Sequence, residues 1–188
     1  MTSAHDLSYL LVDGENIDAT LGISILGLRP APEQRPRWDR VRDFTARLWT
    51  KPCKGLFFLN ASSGVLPASF IQALLALNYR PIPLSGPADG SVVDVAIQRT
   101  LQALREREGN VLLASHDGDF LPDIEALLGT DRRVGILGFR EFVSASYRDL
   151  ETRGLEIHDL ETDAHAFNVP LPRVRIIPVD EFDPADFL

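Results

Sequence analysis

Aspartates follow two of the apolar segments that the sequence predicts to be buried strands. Residues 9–12 lead directly into Asp13, and residues 110–114 lead, after two further positions, to Asp117 and Asp119. A strand that ends in acids and turns into a helix places those acids at the carboxyl edge of an α/β sheet, where such sheets bind ligands. The two segments therefore predict a carboxylate site at one edge of a sheet.

A third predicted junction contributes Asp94, in the first turn of a helix expected over 92–107, and Asn16 lies close behind Asp13. Clustered carboxylates repel one another, so some hold a proton at neutral pH unless a cation neutralises them. An all-oxygen cluster suits Mg²⁺ or Mn²⁺ better than a structural zinc ion. Because such an ion activates water and stabilises charge on a phosphate, the expected chemistry is phosphodiester hydrolysis.

Each acid also has a purely structural interpretation. Asp13 and the glycine after it are typical of a turn, and Ser91 three residues before Asp94 fits a capping box. Asp117 is a suitable N-cap for the next helix, where Asp119 is favoured by the helix dipole. Both interpretations stay open at each position, and the functional one depends on three separate junctions all supplying acids.

The predicted elements alternate between strands and helices. Strands are expected at 8–13, 55–59, 81–84, 110–114, 133–137 and 155–160, and helices at 38–49, from 67, and at 92–107, 120–128 and 143–150. A turn is expected at 14–18, and Ile17, Leu21 and Ile25 are spaced for a short helix. Such alternation predicts a parallel β-sheet sandwiched by helices, in one domain over 1–160. Residues 161–188 contain four prolines and predict an acidic C-terminal extension, with one strand at 174–177.

The composition indicates the cellular compartment of the protein. The single cysteine, Cys53, excludes an internal disulfide and indicates a reducing environment. No apolar run approaches the ~20 residues of a membrane span, and residues 1–13 lack the basic start and apolar core of a signal peptide. The expectation is a cytoplasmic protein without a membrane segment.

The net charge of −8 argues against broad, sequence-blind nucleic-acid binding. Residues 29–54 are the exception, with eight Lys/Arg against three Asp/Glu. This segment predicts a surface that holds an RNA backbone, or else a solvated helix face. The candidate RNA-binding residues are Arg37, Arg40, Arg47, Lys51 and Lys54.

Three segments together resemble the NYN-domain family of PIN-like ribonucleases, over roughly residues 7–160. They are LLVDGENID (Leu10–Asp18), VVDVAIQRTL (Val92–Leu101) and LLASHDGDFLPDIEALLGTDRRVGILGF (Leu112–Phe139). The resemblance implies a Rossmann-like, three-layer α/β sandwich that carries a divalent-metal ribonuclease site.

Carried over by position, the resemblance makes Asp13 the first metal ligand and Asn16 its companion. It makes Asp94 the acid at the head of the central helix, with Asp117 and Asp119 completing the catalytic cluster. Two features depart from the family. The lysine often found ahead of Asp94 is missing, and His116 stands where a small residue is usual. A lone histidine at this position is more typical of a surface loop than of a metal ligand.

Three functions follow from these patterns. The leading hypothesis is an Mg²⁺- or Mn²⁺-dependent endoribonuclease acting on single-stranded or structured RNA. The alternative is a catalytically weak or inactive module that binds RNA, or binds a protein through the acidic C-terminal tail. The third is a toprim-like site, which also places acids after strands and would act on DNA or nucleotide phosphates.

Overall fold

Six parallel strands form a sheet in the order β3-β2-β1-β4-β5-β6 in the computed structural model, which describes residues 7–87, 91–175 and 177–188. The strands are β1 (Ser8–Asp13), β2 (Cys53–Asn60), β3 (Tyr79–Leu84), β4 (Asn110–Ala114), β5 (Val134–Gly138) and β6 (Leu155–Asp159). The order of the strands reverses between β1 and β4, which is the point where doubly wound sheets open a crevice at their carboxyl edge. The predicted parallel α/β class is confirmed.

Helices cover both faces of the sheet. They are α1 (Gly14–Ala19), which continues as a π-helix (Thr20–Leu26), α2 (Trp38–Leu48), α3 (Ala68–Ala76), α4 (Val92–Arg105), α5 (Leu121–Glu125) and α6 (Ala145–Asp149). Every residue of β1, β4 and β5 is buried. Strands covered on both sides read as continuous apolar runs, and this is the pattern that the sequence displays.

Alternate residues of β1 separate two apolar cores. Tyr9 and Leu11 pack on one face, with the buried side of α4. Leu10 and Val12 pack on the opposite face, with the buried side chains of α1 and α2. Because successive strand residues point to opposite faces, one strand anchors both layers and fixes where its carboxyl end emerges. The result is three layers, helix–sheet–helix, as predicted.

The segments beside the acids differ from their predicted structure. The turn expected at 14–18 is already helical, because Asp13 caps α1. The short helix expected through Ile17, Leu21 and Ile25 is formed by α1 and the π-helix. The helix expected over 120–128 is shorter: a 3₁₀ turn (Gly118–Phe120) precedes α5, which ends at Glu125. The chain then turns towards Gly129, which has a φ of +76° that favours glycine.

The predicted strand at 174–177 is absent from the residues of that segment that the structure describes, with Ile176 lying outside them. Val174 is 98% exposed there, so no described residue covers the apolar side chain that a strand would have buried. The neighbouring Arg173 and Arg175 are held by side-chain ion pairs with Glu161 instead. The loop predicted at 85–90 is irregular through Pro87, and residues 88–90 lie outside the described chain.

The C-terminal extension first packs onto the domain and then runs along its surface. Ala164, Ala166 and Leu171 are buried within one of the two cores. Beyond Pro178 the chain forms two exposed 3₁₀ turns, Val179–Glu181 and Pro184–Asp186. Across the described residues, no helix has the length and apolar character needed to cross a membrane.

Candidate carboxylate site

The ends of β1 and β4 are joined through Ser115. Val12 pairs with Ala114 in register, so Asp13 and Ser115 leave the sheet side by side. Ser115 Oγ donates to Asp13 Oδ2 at 3.0 Å and accepts from the backbone N–H of Asp117 at 3.2 Å. Both Asp13 and Ser115 are buried, with exposures of 3% and 0%. The strand register therefore places two predicted acids at one point of the sheet edge.

Asp94 approaches the same point from the first turn of α4. Burial raises the pKa of Asp13 to about 6, and the charges of Asp94 and Asp117 add to this effect. Burial also raises the pKa of Asp94, with further contributions from Asp117, Asp119 and Glu15. The four predicted aspartates therefore lie close enough for their charges to act on Asp13 and Asp94. Glu15 is a fifth member that sequence reasoning missed, although it lies in the motif after β1.

Two of the acids also have the structural roles that the sequence allowed. Asp13 Oδ1 accepts from the backbone N–H of Asn16 at 3.4 Å, capping α1. Asp117 Oδ1 accepts from the backbone N–H of Asp119 at 2.9 Å, capping the 3₁₀ turn. The capping box expected at Asp94 is not formed, because Ser91 makes no side-chain hydrogen bond to the helix. Asp94 thus has no structural partner of this kind to explain its position.

His116 is buried, so the expectation of a surface-loop histidine is wrong. Its ring stacks on Phe139, and its Nε2 accepts from the backbone N–H of Phe139 at 2.7 Å. Its Nδ1 lies 3.0 Å from Asn16 Oδ1 and 3.1 Å from Thr20 Oγ1. Burial lowers the pKa of His116 to about 4, so the ring is neutral at pH 7. A glycine at 138 makes room for it, since an added Cβ would lie 2.7 Å from Nε2.

A divalent cation fits the charge of this site. In the described ranges, the five carboxylates of Asp13, Glu15, Asp94, Asp117 and Asp119 form no ion pair with Lys or Arg. The same ranges hold no group of three acidic, histidine or cysteine side chains at metal-binding spacing. Mg²⁺ is commonly held by one or two carboxylates and several waters, so this site has the donor type and the charge that the ion requires.

The basic residues predicted to bind RNA do not gather around the carboxylates. Arg37 pairs with Asp39, and the Arg40 guanidinium donates to the carbonyls of His165 and Phe167 in the extension. Lys54 pairs in register with Tyr9, which places it at the amino edge, about 13 Å of strand from Asp13. Lys51 and Arg47 lie near that edge, where α2 ends. RNA contact at these five positions stays a prediction.

A surface groove of about 590 Å³ adjoins the carboxylates, with Glu15 in its wall. Ile23 and Leu28 also line it and are 81% and 62% exposed. Arg29 contributes a cation, while the carboxylate of Asp18 in the same wall is paired with Arg35. The groove thus combines exposed apolar side chains, a guanidinium and one edge of the acidic cluster.

Comparison with known proteins identifies a similar fold and indicates no activity. No model of a protein family and no curated protein matches the chain in sequence. A crystal structure of a protein of unknown function from Vibrio parahaemolyticus is similar, with a TM-score of 0.60 at 20% identity. The match covers 84% of this chain and 96% of that one. At this identity the likeness supports the three-layer α/β fold alone.

Proposed function

We propose that this protein is a divalent-metal-dependent endoribonuclease of the NYN type. One observation carries the proposal: separate chain segments bring Asp13, Asp94, Asp117 and Asp119 to the carboxyl edge of the sheet, and no Lys or Arg among the described residues forms an ion pair with them. Burial and neighbouring carboxylates raise the pKa of Asp13 and Asp94, and charged carboxylates in such surroundings are costly unless they bind a positive charge. Clusters of this kind at a ligand crevice are more typical of a functional site than of a structural one.

Bound there, Mg²⁺ or Mn²⁺ supplies an activated water and stabilises charge on the phosphate. Asp13, Asp94, Asp117 and Asp119 are the proposed ligands, directly or through waters. Ser115 holds the Asp13 carboxylate in place by its 3.0 Å hydrogen bond. The burial of Asp13 excludes bulk water on its side of the cluster, which strengthens its interaction with a cation.

The groove beside Glu15 supports RNA as the substrate. Ile23 and Leu28 offer exposed apolar surface on which a base can rest, and Arg29 offers a guanidinium to a flanking phosphate. The single buried cysteine, Cys53, agrees with a reducing compartment, so we propose that the protein acts in the cytoplasm.

The test is RNA cleavage with Mn²⁺ by wild type and Asp117→Asn, with EDTA as a second control. Asparagine keeps the oxygen that caps the 3₁₀ turn, so the variant should fold. Asp131→Asn, which removes an exposed carboxylate elsewhere, is the matched control and should stay active. Equal activity of wild type and Asp117→Asn, or activity unchanged by EDTA, rejects the proposal. Parallel assays with DNA and nucleotides test the toprim-like alternative.

The exposed tail favours a second candidate, a protein-interaction module. Phe182 and Phe187 are 50% and 63% exposed, with ring centroids 5.6 Å apart, and the acids around them form no ion pair with a Lys or Arg in the described part of the chain. Such a segment offers apolar anchors to a partner with a basic rim. The full-length double variant Phe182→Ser/Phe187→Ser tests it by affinity purification. If its bound proteins equal those of wild type, the tail is not a docking segment.

A further inference from the structure

We propose that Asn16 serves the carboxylate site as a hydrogen-bond donor and not as a metal ligand, and that His116 is the positioning residue that imposes this role. The inference rests on the proposed function, because it assigns a task within the same site. An asparagine beside metal-binding carboxylates can ligate through its oxygen or donate through its nitrogen. The contacts of Asn16 distinguish these two roles.

The first step concerns the proton on the imidazole ring. A backbone N–H can only donate, and that of Phe139 points at His116 Nε2 over 2.7 Å. Nε2 therefore carries no hydrogen, and in the neutral ring the proton sits on Nδ1. The geometry around Phe139 thus fixes the tautomer.

The second step concerns the oxygen of Asn16. The Nδ1–H of His116 donates to Asn16 Oδ1, with 3.0 Å between the nitrogen and the oxygen. The backbone N–H of His116 donates to the same oxygen at 2.8 Å. Thr20 Oγ1, at 3.1 Å from Nδ1, can share the ring proton. Two N–H donors occupy both lone pairs of Oδ1, so none is left for a cation. Reversing the carboxamide would set N–H groups against each other.

The remaining polar atom is Asn16 Nδ2. It makes no hydrogen bond to any described residue, and it is not among their buried unpartnered atoms. Asn16 is half-buried and lies just after Asp13, whose Oδ1 accepts from the Asn16 backbone N–H at the start of the same helix. An amide nitrogen has two hydrogens and no available lone pair, so it can donate to a phosphate oxygen or a bound water. Asn16 is suited to hold substrate, and the carboxylates are suited to hold the ion.

Manganese titration by calorimetry separates the two roles without RNA. We expect Asn16→Ala to bind Mn²⁺ within about twofold of wild type, and Asp13→Asn to bind at least about tenfold more weakly. Asn16→Ala should nevertheless lower the kcat of RNA cleavage. If Asn16→Ala loses as much Mn²⁺ affinity as Asp13→Asn, Asn16 is a ligand and the proposal is overturned.

Asn16→Asp is the sharper variant because it keeps the shape. Its Oδ1 still accepts both bonds from His116, while the other oxygen accepts where the amide donated. We expect Mn²⁺ binding no weaker than wild type together with a fall in kcat of about tenfold or more. Full activity would mean that an oxygen ligand suffices at this position, and it would overturn the proposal.

Two measurements isolate the part played by His116. Long-range ¹H–¹⁵N spectra should show the ring protonated on Nδ1, and a ring protonated on Nε2 overturns the proposal without reference to metal or RNA.

His116→Gln keeps an acceptor for the Phe139 N–H, so the fold should survive. His116→Gln should lower kcat when Asn16 is present and leave kcat unchanged in the Asn16→Ala background. If the two substitutions instead have independent, additive effects on kcat, His116 does not act through Asn16. If wild type cleaves no RNA, the ribonuclease proposal fails, while the ring spectra still decide the tautomer.

Discussion

Ser115 donates a 3.0 Å hydrogen bond to the buried carboxylate of Asp13, joining the ends of the two central strands. This bond opposes the effect of burial on the pKa of Asp13. We expect Ser115→Ala to raise that pKa further and to destabilise the fold by about 1 kcal/mol, since the Asp117 N–H also loses its acceptor. Carboxyl NMR titration and urea unfolding measure the two effects.

Ser115→Thr is the control for that prediction, because threonine keeps the hydroxyl. The pKa of Asp13 in Ser115→Thr should stay near its wild-type value of about 6. If alanine and threonine shift the pKa of Asp13 equally, the hydroxyl does not hold the carboxylate.

Asp13 should make the metal-free protein less stable as the pH rises. Its folded pKa of about 6 exceeds the ordinary value of 3.8, so the stability linked to its bound proton is complete below about pH 4 and is lost as the pH rises through 6. Asp13→Asn has no such loss. We expect it to be more stable than wild type at pH 8, by up to roughly 3 kcal/mol, and the difference to fade towards pH 4. Urea unfolding in EDTA at both pH values measures this.

The exposed Asp131 provides the control, and Asp131→Asn should leave the stability at pH 8 unchanged. The weak cap from Asp13 to the Asn16 N–H, at 3.4 Å, reduces the gain but should not reverse it. A lower stability for Asp13→Asn at pH 8 would show that the charged Asp13 is well accommodated without a cation.

Added Mn²⁺ should reverse the order of these two proteins. A ligand that binds only the folded state at 1,000 times its Kd stabilises that state by about 4.1 kcal/mol, which exceeds the difference expected without metal. Wild type should therefore gain stability at pH 8, and Asp13→Asn should gain little. Thermal unfolding with a Mn²⁺ series measures the gain, and Ca²⁺ tests whether the cluster selects the smaller ion. An equal gain in both proteins would place the bound ion elsewhere.

The sequence predicted the position of Asp13 and Asp117 because strand patterning alone brings them to one edge. Both follow buried apolar runs, and adjacent parallel strands must end together. The features that the sequence did not predict depend on tertiary contacts. His116 is buried by partners that lie 100 and 23 positions away, at Asn16 and Phe139, and periodicity carries no information about them.

The basic segment illustrates a different limit. Residue type predicted a cationic surface there, but Arg40 reaches carbonyls of the extension, 125 and 127 positions away. A local charge count cannot distinguish an arginine that faces solvent from one that anchors another segment. The tail strand expected at 174–177 failed for a related reason, since ion pairs rather than a β-ladder hold that segment.

Arg29 should strengthen the binding of single-stranded RNA through the groove beside Glu15. We expect Arg29→Ala, in an Asp117→Asn background that prevents cleavage, to weaken binding severalfold and to reduce the salt slope by about one. Leu28→Ser should cost about 1 kcal/mol by removing apolar surface that a base would cover. Fluorescence anisotropy with a labelled single strand measures both losses.

Arg80 is the matched control, because it is exposed near the start of β3, at the edge away from the acids. Arg80→Ala should bind RNA as the background protein does. Equal losses for Arg29→Ala and Arg80→Ala would indicate binding by overall charge, and the groove would then not be the RNA site.

Arg173 should be the main anchor of the C-terminal extension. Its side chain is 9% exposed, forms ion pairs with Glu141 and Glu161, and lies over the ring of Phe139 at 5.5 Å. Burial lowers its pKa to about 10, with a further contribution from the charge of Arg175. Arg173→Met keeps much of the bulk but removes the ion pair to Glu141 and leaves Glu161 with Arg175 alone. We expect a loss of about 2 kcal/mol together with faster proteolysis of the tail.

Arg175→Met is the informative comparison. Arg175 is 36% exposed and also pairs with Glu161, so water screens its interaction more strongly. Its removal also removes the repulsion between the charges of Arg175 and Arg173, which offsets part of the lost attraction to Glu161. We therefore expect a loss well below 1 kcal/mol for Arg175→Met, from urea unfolding at pH 7. Similar losses in the two variants would mean that burial of Arg173 contributes nothing to its role as an anchor.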